Sequence, residues 1–337
     1  PNRVSWYTLY DYIDSGKWIT SGSSSVGKVE WTFGDEKGRF KARKNFIPYI
    51  YTTEELKELC EQSLLKQENK VLVKNEFGKV RLAVAGDIGT YLVQAWLFYL
   101  TGHAYKTWKG GTLDETTFEQ IRRQEKMRDK MKKAYVLPFD YAAFDHQVNT
   151  WEIKEIVHAY FELGRANVLL EDQREWKRWL DGTVSAFDNA YLTSNLEGKP
   201  VTYKVTGGLM SGLRITSLVG NCWNLVMTRI AESLVVETGL FNAFTNAIRG
   251  DDSVVINDNY IAVLLTRFAY GAINAIGNDA KYGIHYEQAE FLRNWLSTNA
   301  IYGLPNRNIP GLTQRKPWSN DPWSPESVLQ SVFTTVQ

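Results

Sequence analysis

Three observations in the sequence predict a mixed α+β fold whose strands gather around acidic positions. Short apolar runs meet aspartates near 134–139 and 246–256, and between them lie segments with apolar residues recurring at three and four. No internal repeat or low-complexity linker divides the 337 residues. With 44% hydrophobic and 13% aromatic residues, the chain can bury a substantial core as one large domain or two to three subdomains.

The first eighty or so residues read as loop-rich, with a Gly/Ser stretch from Ser21 to Gly27 and a basic segment in which Arg39, Lys41, Arg43 and Lys44 surround Phe40. Such a segment can track phosphates or be a solvated surface strand, and the residues alone leave both open. Ile88 to Leu100 is the longest apolar stretch; interrupted by Thr90 and Gln94, it falls short of the roughly 20 residues that cross a bilayer and reads as a buried helix. Asp114 to Lys133 mixes both charge signs around Phe118, Ile121 and Met127, the pattern of an exposed helix, and runs into a strand, Ala134 to Phe139, that ends at Asp140. Asn149 or Thr150 can cap the next helix, with Ile153, Ile156, Val157, Tyr160 and Phe161 at helical spacing. A helix carrying Trp176, Trp179 and Leu180 follows. The turn at Gly207-Gly208 leads through Ser211-Gly212 into an apolar helix from about Ile215 to Thr238. Gly250-Asp251 then suits a tight II′ turn between strands at 246–248 and 253–256. A helix from Tyr260 to Ile276 and a strand-rich end complete the pattern.

Composition excludes several classes. Cys60 and Cys222 with four histidines, none at zinc-ligand spacing, argue against a disulfide scaffold or structural zinc. A net charge of +1, from 39 basic and 38 acidic residues, means that any nucleic-acid footprint is local. No secretory or transit segment opens the chain, and Pro rather than Met stands first, as in an excised or processed piece of a longer protein.

Phosphoryl transfer to a ribose hydroxyl needs two divalent cations about 4 Å apart, and magnesium prefers carboxylate oxygens on rigid supports. Asp140 at a strand end and Asp251-Asp252 at a hairpin tip make such a metal site if the two elements are sheet neighbours. A Gly-Asp-Asp tripeptide alone is weak, because aspartates in turns commonly satisfy backbone donors. Asp145, five residues after Asp140, could hydrogen bond a ribose 2′-hydroxyl, helped by Ser211, Thr216 or Asn221.

Taken together, Asp140-x4-Asp145, Ser211-Gly212-x3-Thr216 and Gly250-Asp251-Asp252 resemble motifs A, B and C of viral RNA-dependent RNA polymerases, in the family's order. Lys74-Asn75-Glu76-Phe77-Gly78-Lys79-Val80-Arg81 resembles motif F, which implies that Lys74, Lys79 and Arg81 hold the incoming triphosphate. Lys281 resembles the motif D lysine, which implies a catalytic role beside the pyrophosphate. Glu290-Phe291-Leu292-Arg293 with Trp295 resembles the primer-gripping motif E, and Ser21 to Lys28 the template-guiding motif G. Gly212, beside Ser211 in the motif B resemblance, is expected to contact RNA. The wording from Gly207 to Thr216 is most similar to polymerases of double-stranded RNA viruses of the totivirus or picobirnavirus kind. The sequence departs from the family at Gly220, where an Asn is usual; Asn221 stands one place later, a rotation of about 100° around the helix.

The resemblance implies a right-hand polymerase with an antiparallel palm sheet, a fingers subdomain and a truncated or absent thumb. Its expected division is fingers at 1–133, palm at 134–147, a helical insertion at 148–200, palm at 201–300, and the start of a thumb or extension at 301–337. It further implies two Mg²⁺ ions with Mn²⁺ as a possible substitute. Implied partners are RNA template, nascent RNA, nucleoside triphosphates and viral capsid protein, with no membrane segment, in the virion interior or host cytoplasm. Rival readings are a reverse transcriptase, against which Asp145 and Gly250 argue, and a non-catalytic RNA-binding or structural descendant. Gly22-x4-Gly27-Lys28 mimics a phosphate-binding loop of a nucleoside triphosphatase but is followed by Val29 where Ser or Thr would ligate magnesium.

Overall fold

Hairpins and short helices, not loops, build much of the N-terminal segment in the computed structural model, which describes residues 4–20, 23–76, 79–195 and 198–304 and a few positions between 309 and 329. In order come α1 (Leu9–Asp14), β1 (Ser23–Phe33), β2 (Glu36–Arg43), α2 (Thr53–Leu65), β3 (Gln67–Glu76) and β4 (Lys79–Ala85). β1 and β2 form a two-stranded antiparallel ribbon in register Lys28↔Lys41 and Phe33↔Glu36. Along β2 Gly38 and Phe40 are half-buried and Ala42 fully buried, while Lys37, Arg39, Lys41 and Arg43 are exposed, a short alternation carried by one large apolar side chain. Gly27 and Lys28 lie within β1 rather than in a loop before a helix, which removes the phosphate-loop reading.

α2 opens on a reciprocal capping box between Thr52 and Glu55. α3 (Ile88–Thr101) is capped by Asp87, which accepts from the Thr90 amide at 2.7 Å, and it is buried along most of its length. α4 (Thr117–Met131) leaves Phe118 and Ile121 in solvent and buries Met127 and Met131. The chain continues with β5 (Tyr135–Phe139), α5 (Phe144–Gln147), α6 (Thr150–Glu162, N-capped by Asn149), α7 (Gln173–Ser185), β6 (Ala190–Ser194), β7 (Val201–Lys204) and α8 (Thr216–Val236). After these come β8 (Thr245–Arg249), β9 (Asp252–Asn257), α9 (Tyr260–Ala272), β10 (His285–Tyr286), β11 (Gln288–Phe291), β12 (Asn294–Ser297) and β13 (Ile301–Gly303).

Two compact units result. The first holds 1–72, 83–104 and 148–219, the second 73–82, 105–147 and 220–337, so one boundary falls inside α8. In the first unit α1, α2, α3, α6 and α7 pack on one another, and Trp18, Trp96, Trp176 and Trp179 are fully buried. Its β6 runs parallel to β3 and antiparallel to β7 in a sheet of order β4-β3-β6-β7.

The second unit is built on an antiparallel sheet of order β10-β5-β9-β8. Met127 and Met131 of α4 pack with Val136, Val254 and Ile256 of that sheet and with Phe291 and Leu296 of the small sheet β11-β12-β13. Tyr270 of α9 stacks on Phe139 at 3.9 Å between ring centroids. Packing on both faces buries every position of β9 from Ser253 to Asn257, and this is why the strand reads as an almost unbroken apolar run. The expected thumb start lies mostly outside the described residues.

Candidate active site

Phe139 faces Ser253 across β5 and β9, so Asp140, one residue on, and Asp251-Asp252, one or two residues before, leave the sheet at the same end. Arg249 pairs with Asp252 around the two-residue turn Gly250-Asp251. Gly250 has φ +63°, while Asp251 keeps an ordinary negative φ, as the II′ geometry expected from the sequence requires.

Two amides from α8 grip this turn. The Gly250 N–H donates to Asn221 Oδ1 at 3.0 Å, and its carbonyl accepts from Asn224 Nδ2 at 2.8 Å. Asn224 Oδ1 in turn accepts from the Tyr141 hydroxyl at 2.8 Å and from Thr228 Oγ1 at 3.2 Å, and the Tyr270 hydroxyl donates to Thr228 at 2.7 Å. Asn221, expected to read a sugar, is buried with its carbonyl oxygen on the glycine turn. Sequence reasoning gave Asn224 no role. The signal available was a polar row, Asn221, Asn224 and Thr228, at spacings of three and four among the apolar residues of the helix's first half.

α9 ends at Ala272, four residues before the expected end, where Asn274 takes φ +63°. The following segment returns along β5: Gly277 bridges Tyr141, and the Asn278 amide donates to the Asp140 carbonyl at 2.8 Å. That return sets Lys281 Nζ 3.1 Å from Asp140 Oδ1. Asp145 lies in the first turn of α5; burial above all, and then the charge of Asp251, raises its pKa, while His146 and Arg81 pull it down. Asp251, Asp145 and Arg81 are thus electrostatic neighbours within the second unit.

Asp252 is engaged differently. Its Oδ2 accepts from the Leu292 N–H at 2.8 Å, at the tip of the β11–β12 hairpin. Burial is the main cause that pushes its carboxyl up to about 6; Asp251, Glu290 and Asp140 add to the rise, and the Leu292 hydrogen bond opposes it. Leu292 and Arg293 both have positive φ, +52° and +63°.

Of the other expected residues, Lys74 and Arg81 are exposed on β3 and β4, while Phe77, Gly78 and the Lys79 side chain lie outside the described residues. Ser21 and Gly22 lie outside them too. In the first unit Ser211 Oγ accepts from the Val84 N–H at 3.1 Å, and the Thr216 hydroxyl donates to the Met210 carbonyl. Gly212 approaches strand β4 so closely that a Cβ would stand 1.5 Å from the Val84 carbonyl oxygen. Arg39 is ion-paired with Glu30 across the ribbon, and Arg43 is exposed. Lys41 and Lys44, with Lys70, Arg214 and Gly212, line a cavity of about 270 Å³. Gln94 lines it as well, fully buried with no hydrogen-bond partner for either side-chain atom.

Among the described residues no three His, Cys, Asp or Glu side chains are grouped closely enough to hold one ion. The donor chemistry nevertheless fits a hard divalent cation, because carboxylates from two neighbouring strands share one sheet end and Asp140 already accepts the positive charge of Lys281.

A family model described as viral RNA-directed RNA-polymerase matches residues 51–314. The chain is 24% identical over 307 residues to the "Probable RNA-directed RNA polymerase" of Giardia lamblia virus (isolate Wang), covering 89% of itself and 15% of that protein. It superposes on the crystal structure of the RNA-dependent RNA polymerase of a human picobirnavirus with a TM-score of 0.62 at 13% identity, and on an insertion-loop deletion mutant with 0.60 at 14%. These superpositions cover 99% of this chain and 63% and 65% of the picobirnavirus chains. The chain therefore spans only part of each relative, and it shares its fold with the picobirnavirus structures.

Proposed function

The chain belongs to the viral RNA-directed RNA polymerases, and we propose that it carries the catalytic centre for template-directed addition of ribonucleotides to RNA. The observation that carries this reading is the meeting of Asp140 and Asp251 at one end of adjacent strands, with Lys281 already on Asp140.

Asp140 and Asp251 would hold divalent cations directly, Mg²⁺ with Mn²⁺ as a substitute, and Asp252 would support them. Cations held there would supply activation of the attacking 3′-hydroxyl and charge stabilisation of the departing pyrophosphate. Lys281 exchanges its contact with Asp140 for the pyrophosphate, neutralising or protonating it as it leaves. Lys74, Lys79 and Arg81 neutralise the incoming triphosphate, and Arg81 suits two directed bonds to one phosphate. Asp145 accepts from the ribose 2′-hydroxyl, which favours ribonucleotides and weighs against a reverse transcriptase. Asn221 and Asn224 position the turn that presents Asp251. In the first unit Lys41, Lys44 and Gly212, with Lys70 and Arg214, contact RNA.

RNA template, nascent RNA and nucleoside triphosphates are the partners this activity requires. No described helix is long and apolar enough to cross a membrane. A capsid protein as partner, and the virion interior or host cytoplasm as the place of action, complete the proposal. Primer extension on single-stranded RNA tests it: Asp251→Asn abolishes synthesis while RNA binding stays close to wild type. Normal elongation by that variant would remove Asp251 from the metal site.

A further inference from the structure

A second cavity, of about 890 Å³, lies in the second unit and is separate from the carboxylates. Its walls are α4, the segment 109–112, the C-terminal half of α8 and the start of β8. The catalytic turn stands at the other end of β8; from Asn246, on the cavity wall, to Gly250 is four residues of strand, about 13 Å.

The wall from α4 is a row of cations. Arg122, Lys126 and Lys130 recur every four residues, so they rise about 6 Å per step along one helix face and span about 12 Å. Lys109 and Arg229 face them from the other walls. Among the described residues none of these five is ion-paired. Arg123, also on the wall, bonds Glu115 through Nε, and its buried Nη2 has no hydrogen-bond partner.

The acids that line the cavity do not cancel this charge. Glu115 is taken up by Arg123. Glu232 accepts hydrogen bonds from Asn246 Nδ2, at 2.9 and 3.0 Å, and burial pushes it up to about 7 against the opposing pull of Asn246, Arg229 and Lys109. Glu237 remains, against five cations without an ion pair, of which Arg229 donates to the Lys109 carbonyl and Arg122 lies over the Phe118 ring. The floor is preformed as well: Gly110, at φ +89°, passes so close to Asn246 that a Cβ would stand 2.0 Å from its Oδ1.

We propose that this cavity binds the phosphate backbone of single-stranded RNA at a distance from the catalytic carboxylates, without reading base sequence. Convergence on one point would suit a single triphosphate. A row of cations about 12 Å long suits successive phosphodiesters, and flexible lysines at its rim make contacts that position a strand rather than specify it. The proposal rests on the polymerase reading above.

The test is binding of labelled oligouridine to the 337-residue chain across a salt series. The triple variant Arg122→Gln, Lys126→Gln, Lys130→Gln changes exposed side chains only. It should bind at least about tenfold more weakly at 0.1 M salt and flatten the slope of log affinity against log salt by about 2, near 0.7 per lost contact. The charge-preserving variant Arg122→Lys, Lys126→Arg, Lys130→Arg should bind as wild type. Equal affinity and slope for the Gln variant and wild type would overturn the cavity site alone. Absence of any oligouridine binding by wild type would overturn the polymerase reading as well. Acylation of Lys126 and Lys130 distinguishes other occupants. Protection by ATP or by polyglutamate but not by oligouridine would replace RNA with a mononucleotide or an acidic polypeptide.

Discussion

The two hairpin tips at the candidate site are both two-residue turns, yet they are held by opposite means. Gly250-Asp251 puts its single positive φ on a glycine and is gripped on both sides by amides that do not titrate, Asn221 and Asn224. Leu292-Arg293 puts positive φ on two residues with side chains, each at a cost on the order of 1 kcal/mol, and its amide is held by the carboxylate of Asp252. The first tip follows from its own sequence. The second stands against its local preference and depends on a group delivered by the first hairpin.

If that contrast is right, Asp252 matters as an acceptor more than as a charge. Asp252→Ala should slow primer extension by about 10- to 100-fold, the worth of a hydrogen bond to a charged group at roughly 1.5–3 kcal/mol. Asp252→Asn keeps an acceptor for Leu292 and should stay within about tenfold of wild type. Equal loss in both would return Asp252 to the metal ligands and break the comparison.

The amide grip is tested by stability. Asn224→Ala strands the Gly250 carbonyl and the Tyr141 hydroxyl, and should cost about 2–3 kcal/mol in denaturant unfolding. Asn221→Ala removes one acceptor and should cost nearer 1 kcal/mol. The reverse order would mean that the turn hangs on its N–H instead.

The second tip should feel pH. The folded-state pKa of Asp252, about 6, lies above its ordinary value of 3.8. The folded chain therefore keeps this proton where the unfolded chain has lost it. Its contribution to stability is full below about pH 4 and is lost as pH rises through about 6. Unfolding of wild type and Asp252→Asn across pH 4–7 should converge in shape only after this component is subtracted; identical profiles would exclude it.

The smallest effects should have opposite signs. Gly250→Ala meets no atom within 4 Å but inherits φ +63°, and should destabilise by about 1 kcal/mol. Arg293→Gly relieves the same strain at the other tip and should stabilise by up to about 1 kcal/mol. Thermal melts of the pair would read both, and the same sign in each would show that glycine is not what separates the turns.

The sequence by itself determined what depends on near neighbours. Strand β5 running into Asp140, the Gly250-Asp251 turn, the Asn149 cap and the buried α3 follow from periodicity and turn chemistry acting over a few residues. The ribbon β1–β2 was harder to see, because the inward face of β2 carries only Gly38, Phe40 and Ala42, too few large apolar side chains to tell a strand from a basic loop.

Tertiary structure alone decided which groups meet at the site. Lys281 reaches Asp140 across 141 residues, Asn224 reaches Gly250 across 26, and Leu292 reaches Asp252 across 40. A carboxylate in a sequence shows its charge and valence; its partners are fixed by how the strands and helices pack, which no local pattern records.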